Sequence, residues 1–320
     1  MVPLTDRSTS KANANVGSEE PIASQVTDKL ELFFPEIERL ETALQLLDSV
    51  AREPEPASDD NPLFLASVGW RTGSTMLQRV MMTDPSLLMW GEPMDRSVFL
   101  GRITDGLSAI IDDWPPADTW ITHRPDLDRT GHWVATLSPD AGRLKAGLLA
   151  LTDTWLAKPA RARGFSRWGV KDVRMSGQDG MVMRWLYPNS RFVLIVRHPV
   201  SSFHSMMQYD LRPGWGLWAR WPDRFVDTIE AYADLWNGLA ISWANVASRL
   251  GVRIVRYEDL ISGEIDIEGV GSSVGLKLQP AVAMDQKVGH NAYNRPMTSE
   301  DRDRINALTA NARELFSYAE

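Results

Sequence analysis

Two stretches of this 320-residue chain hold residue types that bind oxyanions. The first, Gly69-Trp-Arg-Thr-Gly-Ser-Thr-Met-Leu77, gathers two glycines, hydroxyls and an arginine into one short turn. Gly69 and Gly73 let the backbone wrap closely around an anion. Ser74 and Thr75 add hydroxyl donors, and Arg71 adds a planar, permanent charge. The second, Val196-Arg-His-Pro-Val-Ser-Ser-Phe-His-Ser205, offers Arg197 and, eight residues later, Ser205. An arginine in such a place grips phosphate through paired, charge-assisted hydrogen bonds. Together the two segments suit a protein that holds a nucleotide by its phosphates at both ends. Each also has a plainer reading. The first fits an ordinary strand–helix turn with a surface arginine, and the second an arginine closing a helix–strand corner by a salt bridge.

Both segments need strands and helices to aim them. Leu63–Val68 is a continuous apolar run, as in a strand buried on both faces. Ser74–Thr83 follows as a helix, whose first N–H groups face whatever sits beyond the strand's C-terminal edge. Phe192–Val196 is the second strong strand, and Pro199 suits the first turn of a helix starting near Val200. Ser205 then lies about two turns along, on the side of Arg197. Weaker strands are expected at Leu87–Trp90, Trp168–Val170 and Val252–Val255. Helices are expected over 95–111, 140–158, 178–187, 224–249 and 299–317, with Gly251 as a stop and Thr-Ser-Glu-Asp as a cap. Strands alternating with helices predict an α/β fold: three α/β/α layers around a mainly parallel central sheet.

This domain is expected over 61–320. Residues 1–26 read as a mobile polar tail. Residues 27–60 read as an amphipathic helix (Leu30, Leu32, Phe33, Ile37, Leu40, Leu44, Leu47) and an acidic, proline-containing linker. The helix either packs on the main domain or docks a partner.

Composition excludes several functions. Net charge is −8, and no dense Lys/Arg stripe suits nucleic acid. There is no cysteine, so thiol chemistry is excluded. No signal-peptide core or bilayer-length apolar run is visible, which predicts a soluble cytoplasmic protein. No His/Asp cluster has metal-ligand spacing.

The glycine turn is not a Walker A loop, which needs lysine directly after its second glycine. Ser74 stands there. Residues 69–77 instead resemble the 5′-phosphosulfate loop of sulfotransferases that use 3′-phosphoadenylyl sulfate (PAPS), commonly Pro-Arg/Lys-Ser-Gly-Thr-Thr/Ser. Trp70 replaces the proline and Thr72 the serine. Arg71, Gly73 and the pair Ser74 and Thr75 fall on the basic, glycine and hydroxyl positions. Residues 196–205 resemble the family's 3′-phosphate motif, where an arginine (here Arg197) and a serine (here Ser205) grip that phosphate. Arg256-Tyr-Glu-Asp-Leu260 is similar to the stretch whose tyrosine, here Tyr257, contacts adenine; core packing is its alternative. Lys287-Val-Gly289 is similar to a worn C-terminal Arg-Lys-Gly segment that wraps the 3′-phosphate. Trp168-Gly-Val-Lys-Asp172 resembles the family's Trp-x-x-Lys. The resemblance runs over roughly 62–300 and implies the P-loop-NTPase-like sulfotransferase fold.

It implies direct sulfuryl transfer from PAPS, without a metal, to a hydroxyl or amine, releasing adenosine 3′,5′-bisphosphate. Arg71 would neutralise the leaving phosphate. Lys171 would meet the bridging or sulfuryl oxygens, its alternative being an exposed lysine beside Asp172. One branch takes its base from a Lys-x-His segment; Val173 stands there. The branch that includes tyrosylprotein sulfotransferases is nearer, with a glutamate after a short strand, here in Gly91-Glu92-Pro93. Glu92 is the expected base, with a helix cap or a salt bridge to Arg96 as alternatives. His123 and His132 are weaker candidates, and His198 reads as part of the turn. Trp114, Trp120 and Trp133, with Trp215, Trp218 and Trp221, fall in inserts that in this fold cover the acceptor pocket. They suggest a bulky apolar small-molecule acceptor, unless they serve core packing. Two other functions stay open: a P-loop small-molecule kinase, weakened by the missing lysine, and a non-catalytic nucleotide-binding scaffold.

Overall fold

The computed structural model describes residues 22–51, 58–93, 97–110, 138–210, 225–279 and 296–318. Among the described residues five strands form one sheet: β1 (Leu63–Ser67), β2 (Leu87–Gly91), β3 (Arg167–Asp172), β4 (Arg191–Val196) and β5 (Arg253–Arg256). Their spatial order is β2-β3-β1-β4-β5, and every pairing is parallel. Parallel strands need covered faces. Alternation along the strands supplies them: Phe64, Ala66, Phe192, Leu194 and Val196 enter one core, and Leu63, Leu65, Val193 and Ile195 the other.

The larger core is roofed by α1 (Ile22–Val50), α3 (Phe99–Ser108), α4 (Ala141–Thr152), α6 (Gly177–Leu186), α7 (Pro199–Asp210), α8 (Ile229–Leu250) and α11 (Ser299–Glu314). The smaller is roofed by α2 (Ser74–Met81), α9 (Tyr257–Ser262) and α10 (Ile267–Ser273). The amphipathic helix expected from about residue 27 to 52 is therefore α1, which begins at Ile22 and ends at Val50. Its Ile37, Leu40, Leu44 and Leu47 are buried in the larger core, so over this part its apolar stripe is used for packing.

Some expectations shift for physical reasons. The helix anticipated over 140–158 runs as α4, then a π-helical turn at Asp153–Ala157, then α5 (Lys158–Arg161). Pro159 has no N–H to give the carbonyl of Trp155, and the carbonyl of Leu156 accepts the indole N–H of Trp90 at 3.0 Å. The long helix starts at Ile229, not near 224, because Thr228 caps it by accepting from the Ala231 N–H at 3.1 Å. The strand at Trp168–Val170 extends to Arg167–Asp172, since it pairs on both sides, with β2 and β1. Two short helices, α9 and α10, were not anticipated; Asp266 caps the second.

The topology positions the site. The helix after β1 crosses to the smaller core, while the helix after the neighbouring strand β4 crosses to the larger one. Diverging helices open a crevice beyond the C-terminal ends of β1 and β4, where open α/β sheets bind ligands. Both oxyanion segments end there.

Candidate active site

The turn after β1 runs through left-handed backbone at Gly69 (φ 79°), Arg71 (φ 61°) and Gly73 (φ 88°). For Arg71 that conformation costs roughly 1–2 kcal/mol, and such strain concentrates at functional sites. Three successive carbonyls of the turn, those of Gly69, Trp70 and Arg71, are each engaged by a side chain. Ser67 Oγ donates to Gly69 O at 2.7 Å, Ser202 Oγ to Trp70 O at 2.5 Å, and Arg197 Nη1 to Arg71 O at 2.9 Å. Gly73 is the N-cap of α2, and the first i→i−4 bond comes from Leu77 N at 3.1 Å. The amides of Ser74 and Thr75 therefore precede the helix's own hydrogen bonding and face the crevice. Thr72 and Ser74 are buried, while Thr75 is exposed.

The second segment joins the first directly. Arg71 Nε donates to Ser205 Oγ at 3.2 Å, across 134 residues of sequence. Ser205 thus meets Arg71, while Arg197 reaches the turn's backbone. The Arg197 guanidinium lies 4.3 Å from the centroid of the Tyr257 ring, a cation–π contact. That ring rests on Gly73, so closely that a Cβ there would stand 2.4 Å from Tyr257 Cδ2. Tyr257 therefore packs against the turn and remains half-exposed. Two buried polar atoms at this junction, Thr72 Oγ1 and Arg197 Nε, have no hydrogen-bond partner among the described residues.

Beside this junction, the ends of β2 and β3 carry a charged cluster. The register pairs Gly91 with Lys171, and Glu92 N donates to Lys171 O at 2.6 Å. Glu92, itself at φ 32°, is held by both carboxylate oxygens. Lys171 Nζ bonds Oε1, and Arg174 Nη1 bonds Oε2 at 3.2 Å. Lys171 and Arg174 are buried, and Glu92 keeps 26 % of its side chain exposed. Lys171 is thus no surface lysine. Arg96, the alternative partner of Glu92, lies outside the described residues.

A model of the sulfotransferase family matches residues 62–268. The chain belongs to the sulfotransferase family. No curated protein sequence matches it significantly. Solved structures similar to it include the sulfotransferase domain of an olefin synthase from Synechococcus PCC 7002, 14% identical, covering 84% of this chain and 99% of that one with a TM-score of 0.46. A sulfotransferase from Alicyclobacillus acidocaldarius is 14% identical over 80% of this chain and 94% of its own, TM-score 0.42. One from Mycobacterium avium is 13% identical over 93% and 85%, TM-score 0.42.

Sequence reasoning missed three groups at the candidate site of this sulfotransferase. Arg174 carries no motif signal, since only the β2–β3 pairing brings it to Glu92. Asp172, at the end of β3, accepts from Arg174 N at 2.8 Å. Burial pushes its carboxyl up to about 7, and the nearby Glu92 and Asp179 carboxylates add to the rise against the Arg174 N–H. Glu258 accepts from His198 N at 3.0 Å and from the Tyr318 hydroxyl at 2.7 Å, tying the arginine turn to the chain's last described residues. Burial, then the neighbouring Arg313, holds the His198 imidazole below its ordinary value, in keeping with a place in the turn. Lys287, Gly289, His123, His132 and both tryptophan-rich inserts lie outside the described residues. Among the described residues no His/Asp/Glu group could hold a metal ion, and no helix is long and apolar enough to cross a membrane.

Proposed function

We propose that this sulfotransferase moves the sulfuryl group of PAPS to a hydroxyl or amine of a small-molecule acceptor, with Glu92 as base. One observation carries the reading. Arg71, Gly73, Arg197, Ser205 and Tyr257, drawn from three separate segments, meet at the sheet's switch point, one strand away from the Glu92–Lys171 pair. The residues present fit such a donor. Three of the turn's carbonyls are occupied by side chains, its leading amides face the crevice, and Arg197 Nε and Thr72 Oγ1 are buried polar atoms without hydrogen-bond partners among the described residues.

Arg197 and Ser205 would hold the 3′-phosphate, joined by Lys287 and Gly289. Arg71, Thr72, Gly73, Ser74 and Thr75 would hold the 5′-phosphosulfate, and Tyr257 would lie beside adenine. PAPS supplies an activated sulfur–oxygen bond. Glu92 takes the acceptor's proton as the acceptor–sulfur bond forms. Lys171 and Arg71 stabilise charge on the departing phosphate oxygen, which keeps the electron pair of the broken bond. Adenosine 3′,5′-bisphosphate is the product. A bulky apolar acceptor remains part of the proposal, and transfer only to small hydrophilic acceptors would remove it.

Thermal shift tests the donor. Adenosine 3′,5′-bisphosphate should stabilise the protein, by about 2.7 kcal/mol at a hundredfold excess over Kd, and ATP with magnesium should do little. Arg197→Ala should lose most of that stabilisation. Stabilisation by ATP with magnesium instead would favour a small-molecule kinase. Glu92→Gln should still bind the nucleotide but lose roughly 10²-fold or more in transfer.

A further inference from the structure

Glu92 is gripped by two cations of unequal freedom. Lys171 is the last residue but one of β3 and is in register with Leu65 of β1, the strand that leads into the phosphate turn. Its ammonium sits on a four-carbon stem with rotatable donors. Arg174 is fixed more firmly. Its N–H is bonded to Asp172, the next residue's carbonyl accepts the Trp243 indole at 2.8 Å, and Ser176 caps α6 immediately after. Its side chain is 4 % exposed, and its guanidinium lies 5.7 Å from the ring centroid of Trp70, inside the phosphate turn. A contact chain therefore runs from the turn through Trp70 and Arg174 to Glu92 Oε2.

We infer that Arg174 is a positioning residue that keeps Glu92 in place while Lys171 leaves it for the donor, freeing Oε1 to take the acceptor's proton. This rests on the PAPS reading above. Lys171 and Glu92 satisfy each other, which a buried lysine requires. Lys171 can serve the phosphosulfate only by giving up that contact. A glutamate with no second partner would follow it or swing to solvent. Arg174, bonded to the other oxygen and packed on Trp70, holds the carboxylate where it stands. The proton then passes from the acceptor to Oε1 as the new bond to sulfur forms, and the leaving phosphate keeps the electron pair.

The two nucleotides separate the effects without an acceptor. PAPS carries the sulfuryl group that draws Lys171 away; adenosine 3′,5′-bisphosphate lacks it. Calorimetry should show Glu92→Gln binding PAPS about tenfold more tightly relative to the bisphosphate, since Lys171 no longer has to leave a carboxylate. Arg174→Met leaves Glu92 dependent on Lys171, so the same ratio should fall about tenfold with bisphosphate affinity unchanged. Arg174→Lys should restore part of the ratio. In a Glu92→Gln background, Arg174→Met should add nothing. The inference is overturned if the ratio does not move in Arg174→Met. Equal weakening of both nucleotides, or a full effect surviving without Glu92, would overturn it too. Should Arg174→Met not fold, Arg174→Lys with and without Glu92→Gln carries the same comparison. Wild-type protein binding neither nucleotide would remove the PAPS reading itself. Normal bisphosphate binding with an unmoved ratio removes only the role of Arg174.

Discussion

The two halves of the site treat charge in opposite ways. At the ends of β1 and β4, the Arg197 guanidinium rests on a backbone carbonyl and an aromatic ring, with no ion pair to a carboxylate among the described residues. At the ends of β2 and β3, two buried cations converge on Glu92. On the proposed reading the first half suits an anion that comes from outside. The second carries its own anion. A donor site must be cationic before the donor arrives, whereas a base must be an anion held still before the acceptor arrives. On the function proposed above, the difference between the halves matches the division of labour that sulfuryl transfer needs.

The sharpest way to break the donor half is steric. At Gly73 an alanine Cβ would meet the Tyr257 ring at 2.4 and 2.6 Å and would force φ 88° on a residue with a side chain. Left-handed strain of about 1–2 kcal/mol and overpacking of about 1–3 kcal/mol should together cost about 2–5 kcal/mol in denaturant unfolding. Displacing Tyr257 should also weaken adenosine 3′,5′-bisphosphate binding. Gly69 is the control: φ is 79°, but nothing lies within 4 Å of its would-be Cβ. Gly69→Ala should cost the strain alone, and equal losses at both glycines would contradict a turn built around Tyr257.

The charged half should break differently. Lys171→Met removes the group proposed to face the developing charge while leaving Glu92 bonded to Arg174. Transfer should fall by roughly 10²–10³, about 2.7–4 kcal/mol in transition-state stabilisation, with bisphosphate binding nearly intact. If binding falls as far as turnover, Lys171 belongs to the donor half and the division fails.

How much of this was legible follows the same boundary. The donor half was readable because each part is local: a buried apolar strand, a glycine turn, an arginine at the strand's end. Gly73, Arg71 and Arg197 announce themselves by type and spacing within ten residues. The junction was less so, since the bond from Arg71 to Ser205 depends on which strands are neighbours. In the charged half, Glu92 and Lys171 were found by resemblance. Their mutual bond, and Arg174 altogether, exist only because β2 and β3 pair in one register. Arg174 looks in sequence like any arginine before a helix cap. The π-helical turn was hidden for a related reason, being set by Pro159 together with the distant indole of Trp90.

Asp172 gives the charged half a pH signature. Its ordinary value is 3.8 and burial raises it to about 7. The folded state therefore binds this proton more tightly than the unfolded one. Stability from the group is full below about 4 and is lost as pH rises toward 7. Asp172→Asn keeps an oxygen to accept the Arg174 N–H and removes the titration. It should match wild type near pH 4 and be more stable at pH 8, by up to about 4 kcal/mol at 1.36 kcal/mol per pK unit. Urea midpoints at the two values check this, and a pH-independent difference would contradict it.

The smallest effect decides how the halves of the donor site are coupled. Ser205 accepts from Arg71 Nε at 3.2 Å, so it can serve the 3′-phosphate directly or act by steadying Arg71. Ser205→Ala should weaken adenosine 3′,5′-bisphosphate by up to about tenfold, the worth of one hydrogen bond near 1 kcal/mol. The double variant with Arg71→Ala separates the roles. A serine that touches phosphate itself loses its full contribution in either background. A serine that only orients Arg71 loses nothing once Arg71 is gone, because the contact it steadied no longer exists. Additive losses would make the two motifs independent grips on one ligand. A vanishing second loss would make the Arg71–Ser205 bond the hinge through which one end of the donor senses the other.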